Sequence, residues 1–270
     1  MPNNNAIGVF DSGLGGLCAV RALSELLPNE NIIYFGDTGR VPYGTKSRET
    51  IRKYTVQDAS FLLSHGVKAI LAACGTVSSN ALECIESITD IPVFGVVEDA
   101  AREAYEASAT KRIGVIGTQA TVSSGIFKRK IEEMDGSATV IQRACPLFVP
   151  LVEYGFAGED DEITRLACQR YLADFRGEVD TLILGCTHFP ILEKAIARTL
   201  PGVTLINPAR EAAKAMASIL AEKGLLTENR EKGLIHYYVS DETERFASEG
   251  KTFLGDGFEI KAEKIEIDKY

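Results

Sequence analysis

Ile7-Gly8-Val9-Phe10-Asp11-Ser12-Gly13 is a short apolar run that ends in an acid, a hydroxyl and a glycine, and it has an echo at Ile113-Gly114-Val115-Ile116-Gly117-Thr118. A second pair repeats with nearly the same separation: Ile70-Leu71-Ala72-Ala73-Cys74 is matched by Leu182-Ile183-Leu184-Gly185-Cys186. Apolar runs of this length followed by small or turn-forming residues read as buried parallel strands. Two such pairs, similarly spaced, predict two α/β halves of like topology, each with a cysteine just beyond the carboxyl end of a strand. In open α/β sheets that end is where ligands bind.

The pattern extends outward from these segments. Strands are expected at Ile7-Phe10, Ile32-Phe35, Ala69-Ala73, Val93-Val97, Ile113-Ile116, Thr139-Gln142, Thr181-Leu184, Val203-Ile206 and Ile235-Val239. They alternate with longer helical patterns, the signature of parallel sheets with crossover helices. Ile191, Leu192, Ala195, Ile196, Thr199 and Leu200 fall on one face of a helix that Pro201-Gly202 ends. Ser47 with Thr50-Ile51 opens another, closed by Gly66. An Ala-rich helix is expected beyond Pro208.

Composition narrows the function. The 270 residues are 45% hydrophobic and 25% charged, ordinary for a globular protein, and 38 acidic residues against 29 basic ones give a formal charge of -9. Without a dense Lys/Arg run, nucleic acid is not an expected partner. No apolar stretch approaches the about 18 residues of a membrane helix, and Met1 to Asn5 lacks the basic and apolar regions of a signal peptide. The expectation is a cytoplasmic protein with no membrane partner, in which the six cysteines stay reduced.

Cys74 and Cys186 each stand between an apolar strand and a segment of helical character, so each thiol is expected near a helix N-terminus, where the macrodipole favours a thiolate. Gly75, Thr76, Ser78 and Ser79 follow the first, and Thr187 and His188 the second. Such residues can hydrogen-bond a carboxylate while letting backbone approach closely. Two equivalent bases suit inversion at a Cα: one thiolate removes the α-proton, and the opposite thiol returns a proton to the other face. The acidic Asp11, near the first strand end, is placed to assist Cys74, and Glu153 and His188 to assist Cys186.

Other readings carry less. A cysteine ending a buried strand is often a packed small hydrophobe, and that reading is given to Cys18, Cys84, Cys145 and Cys168. Three histidines and no C-x-x-C spacing make a zinc site, or any metal, unexpected. Gly13-Leu14-Gly15-Gly16 resembles a dinucleotide turn, but the third glycine of G-x-G-x-x-G would fall on Cys18. Gly250-Lys251-Thr252 resembles the end of a phosphate loop, yet Arg245 stands where its first glycine belongs. His65 and His236 are expected to be bystanders.

The ordered segments Gly8-Val9-Phe10-Asp11-Ser12-Gly13-Leu14-Gly15-Gly16-Leu17, Tyr34-Phe35-Gly36-Asp37-Thr38-Gly39-Arg40-Val41-Pro42-Tyr43-Gly44, Ala73-Cys74, Gly114-Val115-Ile116-Gly117-Thr118, Ala144-Cys145-Pro146-Leu147 and Leu184-Gly185-Cys186-Thr187-His188 together resemble the cofactor-independent aspartate/glutamate racemase superfamily, its glutamate racemases above all. The resemblance implies that Cys74 and Cys186 are the acid/base thiols, and that Asp11, Glu153 and His188 assist proton transfer. It implies a substrate pocket lined by Asp11, Ser12, Pro42, Tyr43, Gly44, Gly75, Thr76, Thr118, Thr121 and Thr187. It also implies two pseudo-twofold-related α/β domains, 1–97 with 208–270 and 98–207, that face each other across a cleft. Glutamate is the expected small-molecule substrate, without pyridoxal phosphate or other cofactor, in a protein that supplies D-glutamate for peptidoglycan; a homodimer is left open.

This chain departs from the family in two places. Gly75 stands where an Asn usually follows the first cysteine, and Glu98 is followed by Asp99 where a Pro is common. The first departure keeps two alternatives open at this stage: racemisation of aspartate or another acidic amino acid, and a binding protein that grips an amino acid without changing it.

Overall fold

A computed structural model describes residues 3–158, 160–255 and 257–270. The chain divides into two compact units, one made of Met1–Val96 with Ala209–Tyr270, the other of Val97–Pro208.

Ten strands are described: β1 (Ile7–Asp11), β2 (Ile32–Gly36), β3 (Ala69–Ala72), β4 (Val93–Gly95), β5 (Arg112–Gly117), β6 (Thr139–Ala144), β7 (Thr181–Gly185), β8 (Thr204–Ile206), β9 (Ile235–Val239) and β10 (Ala262–Lys264). The first unit holds a parallel sheet in the order β10-β9-β2-β1-β3-β4, the second a parallel sheet in the order β6-β5-β7-β8. The run β2-β1-β3-β4 is therefore wound as β6-β5-β7-β8 is. The two echoes in the sequence are one topology used twice, and both cysteines follow the third strand of their repeat.

Each sheet reverses its winding direction beside its first strand. The chain leaves β1 for β2 on one side, then crosses to β3 on the other, and β5, β6 and β7 repeat the manoeuvre. Helices fill these crossovers, as parallel strands require. The crevice outside the carboxyl ends of β1 and β3, or of β5 and β7, is the topological switch point of each sheet.

Burial explains why the central strands hold these places. Every residue of β1, β3 and β7 is buried, as expected for strands covered on both faces, whereas the edge strands β4, β6, β8 and β10 are partly exposed. In the second unit Ile113, Val115 and Ile183 pack with Ala100, Ala101, Ala104, Phe127 and Ile131 of the helices Glu98–Ala107 and Ile126–Met134. Fully burying a side chain such as Ile113 or Phe127 is worth about 1.5 to 3 kcal/mol.

Helix boundaries follow local chemistry. Arg48–Ser64 begins at Ser47, whose hydroxyl accepts from the Thr50 amide at 3.2 Å, and ends before Gly66, at φ +67 in the left-handed region that glycine tolerates. The Ala-rich helix is Pro208–Glu222. The apolar face read over Ile191–Leu200 is divided: Phe189–Leu192 is a 3-10 turn, and the helix runs only over Glu193–Thr199. Pro190 lacks an amide hydrogen and fits the first positions of that turn. Strand β4 stops at Gly95 rather than Val97, and β3 at Ala72, although the Ala73 amide still donates to the Phe10 carbonyl at 2.9 Å.

Candidate active site

In the first unit, the ends of β1 and β3 bring Asp11, Ser12, Cys74, Gly75 and Thr76 together. Asp11 closes β1 with 1% of its surface exposed, and its Oδ2 accepts the Gly13 amide at 3.0 Å. That bond turns the chain sharply after the strand. Tyr34, wholly buried on β2, supports the same turn by donating its hydroxyl to the Gly13 carbonyl at 2.7 Å. No side chain fits at Gly16, where a Cβ would lie 2.5 Å from that of Asp11.

Cys74 is the N-cap of the short helix Gly75–Asn80, and its Sγ lies 3.7 Å from the Ser12 hydroxyl. Ser78 anchors this helix to the sheet, donating to the Ala72 carbonyl at 2.8 Å and accepting the Val96 amide at 3.1 Å. Burial, and then the negative charge of Asp11, push the Cys74 thiol up to about 12, although hydrogen bonds from Val77 and Ser12 pull the other way. At neutral pH this sulfur keeps its proton, so the expectation that the helix terminus would favour a thiolate is outweighed here. One turn of backbone dipole is too small to offset burial beside a carboxylate.

In the second unit, Cys186 follows β7 directly and is 9% exposed. The helical element that follows it is not an α-helix: the Phe189 amide donates to the Cys186 carbonyl at 3.0 Å and the Ile191 amide to the His188 carbonyl at 3.1 Å, opening the 3-10 turn. That turn aims His188 back toward the sulfur. Its Nδ1 lies 4.0 Å from Cys186 Sγ and 3.5 Å from the Thr187 hydroxyl, while its Nε2 lies 3.1 Å from Oε1 of Glu153. Glu153 ends the helix Phe148–Glu153. Burial alone would discharge the imidazole, but hydrogen bonds to Cys186 and Glu153 outweigh it and raise His188 to about 10. The imidazolium is therefore the form present at neutral pH.

The remaining predicted residues are also placed. Thr118 caps the helix Gln119–Ser124: its Oγ1 accepts the Thr121 amide at 3.2 Å and lies 3.0 Å from the Thr121 hydroxyl, at the carboxyl end of β5. Pro42 is exposed and Gly44 half-buried. Tyr43 is 1% exposed, and its hydroxyl bonds to the carboxyl groups of Asp37 and Asp58, so any surface it offers a ligand is ring or backbone. Sequence reasoning did not single out Asp37, Arg40, Asp58 or Tyr34 as functional. The first two lie in the segment after β2, where a polar run at a strand's carboxyl end was the available signal. Cys18, Cys84, Cys145 and Cys168 are free thiols, all buried except the half-buried Cys18. Among the described residues no group of three or more His, Cys, Asp or Glu is arranged to hold a metal ion, and no helix is long and apolar enough to cross a membrane.

Comparison with known proteins identifies the family. The Asp/Glu/hydantoin racemase family model matches residues 18–216. The glutamate racemase of Chlorobaculum tepidum is 48% identical over 256 residues, covering 94% of this chain and 93% of that protein, and the one from Geobacter metallireducens is 45% identical over 252 residues, covering 93% of each. Among solved structures, the glutamate racemase of Francisella tularensis in complex with D-glutamate superposes with a TM-score of 0.92 at 39% identity, covering 99% of both chains. That of Thermus thermophilus in complex with β-chloro-D-alanine gives 0.90 at 40% identity, covering 100% of both. On these grounds the chain belongs to the Asp/Glu/hydantoin racemase family of isomerases.

Proposed function

We propose that this protein interconverts L- and D-glutamate by direct proton transfer at Cα, without pyridoxal phosphate, using Cys74 and Cys186 as bases on opposite faces of the substrate. The observation that carries the reading is the placement of both cysteines after the equivalent strand of a twice-used topology, in a chain whose curated relatives at 43 to 48% identity are named glutamate racemases. The solved relative from Francisella tularensis holds D-glutamate, which favours glutamate over aspartate and an enzyme over a passive binder.

The chemistry balances with these groups alone. A thiolate on one face takes the α-proton and becomes a thiol; the electron pair left on Cα delocalises into the adjacent carboxylate; the thiol on the other face gives its proton and becomes a thiolate. The enzyme ends with its two sulfurs exchanged in protonation, so the reverse reaction starts from the product side. Asp11 is assigned to Cys74, and the Glu153–His188 pair to Cys186, as partners that hold or move the proton between turnovers. Ser12, Pro42, Tyr43, Gly44, Gly75, Thr76, Thr118, Thr121 and Thr187 are assigned to the pocket, their hydroxyls and amides suited to the two carboxylates and the ammonium group of the substrate. D-Glutamate made this way would serve peptidoglycan precursor synthesis in the cytoplasm.

Incubating the purified protein, free of pyridoxal phosphate, with each enantiomer of glutamate and aspartate in heavy water tests this. The expected result is deuterium at Cα with loss of optical rotation for glutamate. Binding without exchange, or faster exchange of aspartate, would overturn it.

A further inference from the structure

Beside the first half-site lies a buried cluster that the proposed mechanism does not use. Asp37, just after β2, and Asp58, in the middle of the helix Arg48–Ser64, are both wholly buried. Their Oδ2 atoms converge on one phenol: Tyr43 Oη lies 2.9 Å from Asp58 Oδ2 and is also hydrogen-bonded to Asp37 Oδ2. Arg40 spans both acids, with Nε 2.6 Å from Asp37 Oδ2 and Nη2 3.0 Å from Asp58 Oδ1. Its Nη1 donates to Gln57 at 2.6 Å and lies 3.8 Å from the exposed Asp268, and the guanidinium sits 4.1 Å from the centre of the Tyr54 ring. Ser240 donates to Asp37 Oδ1 at 2.7 Å.

Counting hydrogens shows that the cluster needs one more than two carboxylates, a phenol and a guanidinium bring. The phenol has a single hydrogen and two acid oxygens within bonding distance. If both acids were ionised, one contact would set lone pair against lone pair, and the buried cluster would carry two negative charges against one positive. A proton on one acid repairs both faults. Asp37 already receives hydrogens from Arg40 and Ser240, which suits the ionised form. Asp58 receives one only from Arg40, at Oδ1, and so can carry a proton on Oδ2 and donate it to Tyr43, which passes its own hydrogen to Asp37. Burial first, and then the charge of Asp37, likewise push the Asp58 carboxyl well above the usual carboxylate range.

The cluster holds a segment that borders Cys74. Tyr43–Thr45 is a 3-10 turn packed against the helix Gly75–Asn80 that Cys74 caps. Just before it, Val41 fills the space at Gly13, where a Cβ would lie 3.1 Å from the Val41 Cγ1. The stretch from Val41 to Thr45 thus lies between the turn after β1 and the helix after β3, and its one wholly buried anchor is Tyr43.

We infer that Asp58 is a positioning residue, held as the neutral acid, whose hydrogen bond to Tyr43 fixes the Val41–Thr45 stretch and so sets the affinity for substrate. This rests on the assignment of Pro42, Tyr43 and Gly44 to the pocket. Asp58→Asn can still donate to the phenol through its amide and accept from Arg40 through its carbonyl; Asp58→Ala can do neither. The expected kinetics are a KM for glutamate raised about tenfold in Asp58→Ala with kcat little changed, and largely restored in Asp58→Asn. A KM in Asp58→Ala equal to that of the unaltered protein would overturn the positioning role, and Asp58→Asn as impaired as Asp58→Ala would overturn the neutral acid.

Two readouts do not depend on the reaction. Hydrogen exchange of the Lys46 amide, which donates to the Tyr43 carbonyl at 3.0 Å, should quicken in Asp58→Ala and not in Asp58→Asn. Equal exchange in all three proteins would refute the anchor. The infrared difference between the unaltered protein and Asp58→Asn at neutral pH should contain the C=O band of a protonated carboxyl, and its absence would refute the proton, a measurement that stands even if Asp58→Ala does not fold. Should the unaltered protein leave glutamate unchanged while both readouts behave as stated, the proposed reaction falls and the anchor stands.

Discussion

The two half-sites share a strand order and a cysteine at the same point in it, yet their electrostatics are opposed. Cys74 has an acid and a hydroxyl for neighbours, caps the six-residue helix Gly75–Asn80, and is pushed up to about 12 by burial and by Asp11. Cys186 has an imidazole raised to about 10, itself backed by the Glu153 carboxylate. A proton is thus held on the sulfur in the first unit, whereas in the second a positive charge waits beside the sulfur. In the proposed mechanism one sulfur is protonated and the other ionised at any moment, and the two cysteines of this duplicated fold stand in unlike surroundings, an acid beside Cys74 and an imidazole beside Cys186. The duplication lives in topology, and the difference between the halves in a few polar side chains.

The largest effect should come from removing either sulfur. Cys74→Ala and Cys186→Ala are each expected to lower net inversion by roughly 10²-fold to 10⁴-fold or more, the usual contribution of a positioned acid or base, without loss of fold. The variants should nevertheless differ. Each keeps a base on one face only, so deuterium from heavy water should enter one enantiomer in Cys74→Ala and the other in Cys186→Ala, read by proton NMR at Cα. If both variants exchange the same enantiomer, the thiols do not serve opposite faces; if either still inverts glutamate at the full rate, the two-base mechanism fails.

A smaller effect is expected at the charge that distinguishes the halves. His188→Asn removes the imidazolium but leaves a polar group near Glu153, and kcat should fall about 10-fold to 100-fold. The same substitution should alter stability in a defined pH window. With His188 raised to about 10 in the folded protein and near 6.5 in the unfolded chain, its contribution is complete below about pH 6.5 and is lost as pH rises toward 10. Between those limits the folded state binds one proton more than the unfolded state, so stability should decline by up to about 1.4 kcal/mol per pH unit. Cys74 contributes a decline of the same sign only above about pH 9, where an unfolded thiol ionises and the buried one does not. Asp58 and the other buried thiols, raised as well, contribute equally to both proteins, so the difference in slope by urea denaturation between pH 6.5 and 8.5 reads the histidine: the slope should be steeper in the unaltered protein than in His188→Asn. An equal slope in both would mean that His188 is neutral when folded.

The parts of this picture that were legible in the sequence are those governed by local patterning. Buried central strands leave unbroken apolar runs, so β1, β2, β3, β5 and β7 were readable to within a residue or two, and their repetition exposed the doubled topology. Strand β10 was not: the half-buried Ala262 and the exposed Glu263 and Lys264 pair at a sheet edge and leave no periodic trace. The 3-10 turn over Phe189–Leu192 was hidden because its apolar residues continue the face of the following helix, and only Pro190 hinted at the break. Both cysteines could be singled out from their position after strands, but not their unlike surroundings. These depend on His188 turning back on Cys186 and on Asp11 lying beside Cys74, contacts set by the ends of separate strands. Asp58 was the least legible of all, since an acid in the middle of an amphipathic helix looks like a solvated residue until the fold places Tyr43 and Arg40 against it.

The smallest predicted change concerns the residue after each sulfur, where the halves differ again. Thr187 presents a hydroxyl beside Cys186, whereas Gly75, buried at the first position of its helix, presents no side chain beside Cys74. An amide at position 75 would add one hydrogen-bonding group to the half-site that has no cation, and a well-formed hydrogen bond is worth about 1 kcal/mol net. Gly75→Asn is accordingly expected to lower the KM for glutamate about fivefold and to change kcat by less than about twofold, because a contact made equally in ground and transition states acts on binding alone. Replacing a helical glycine by Asn adds only about 0.3 kcal/mol through helix propensity, which thermal unfolding can read separately. A KM that stays the same or rises would show that neighbouring groups already fill the place of the missing amide, and would make Gly75 a feature of this pocket's shape rather than a gap in it.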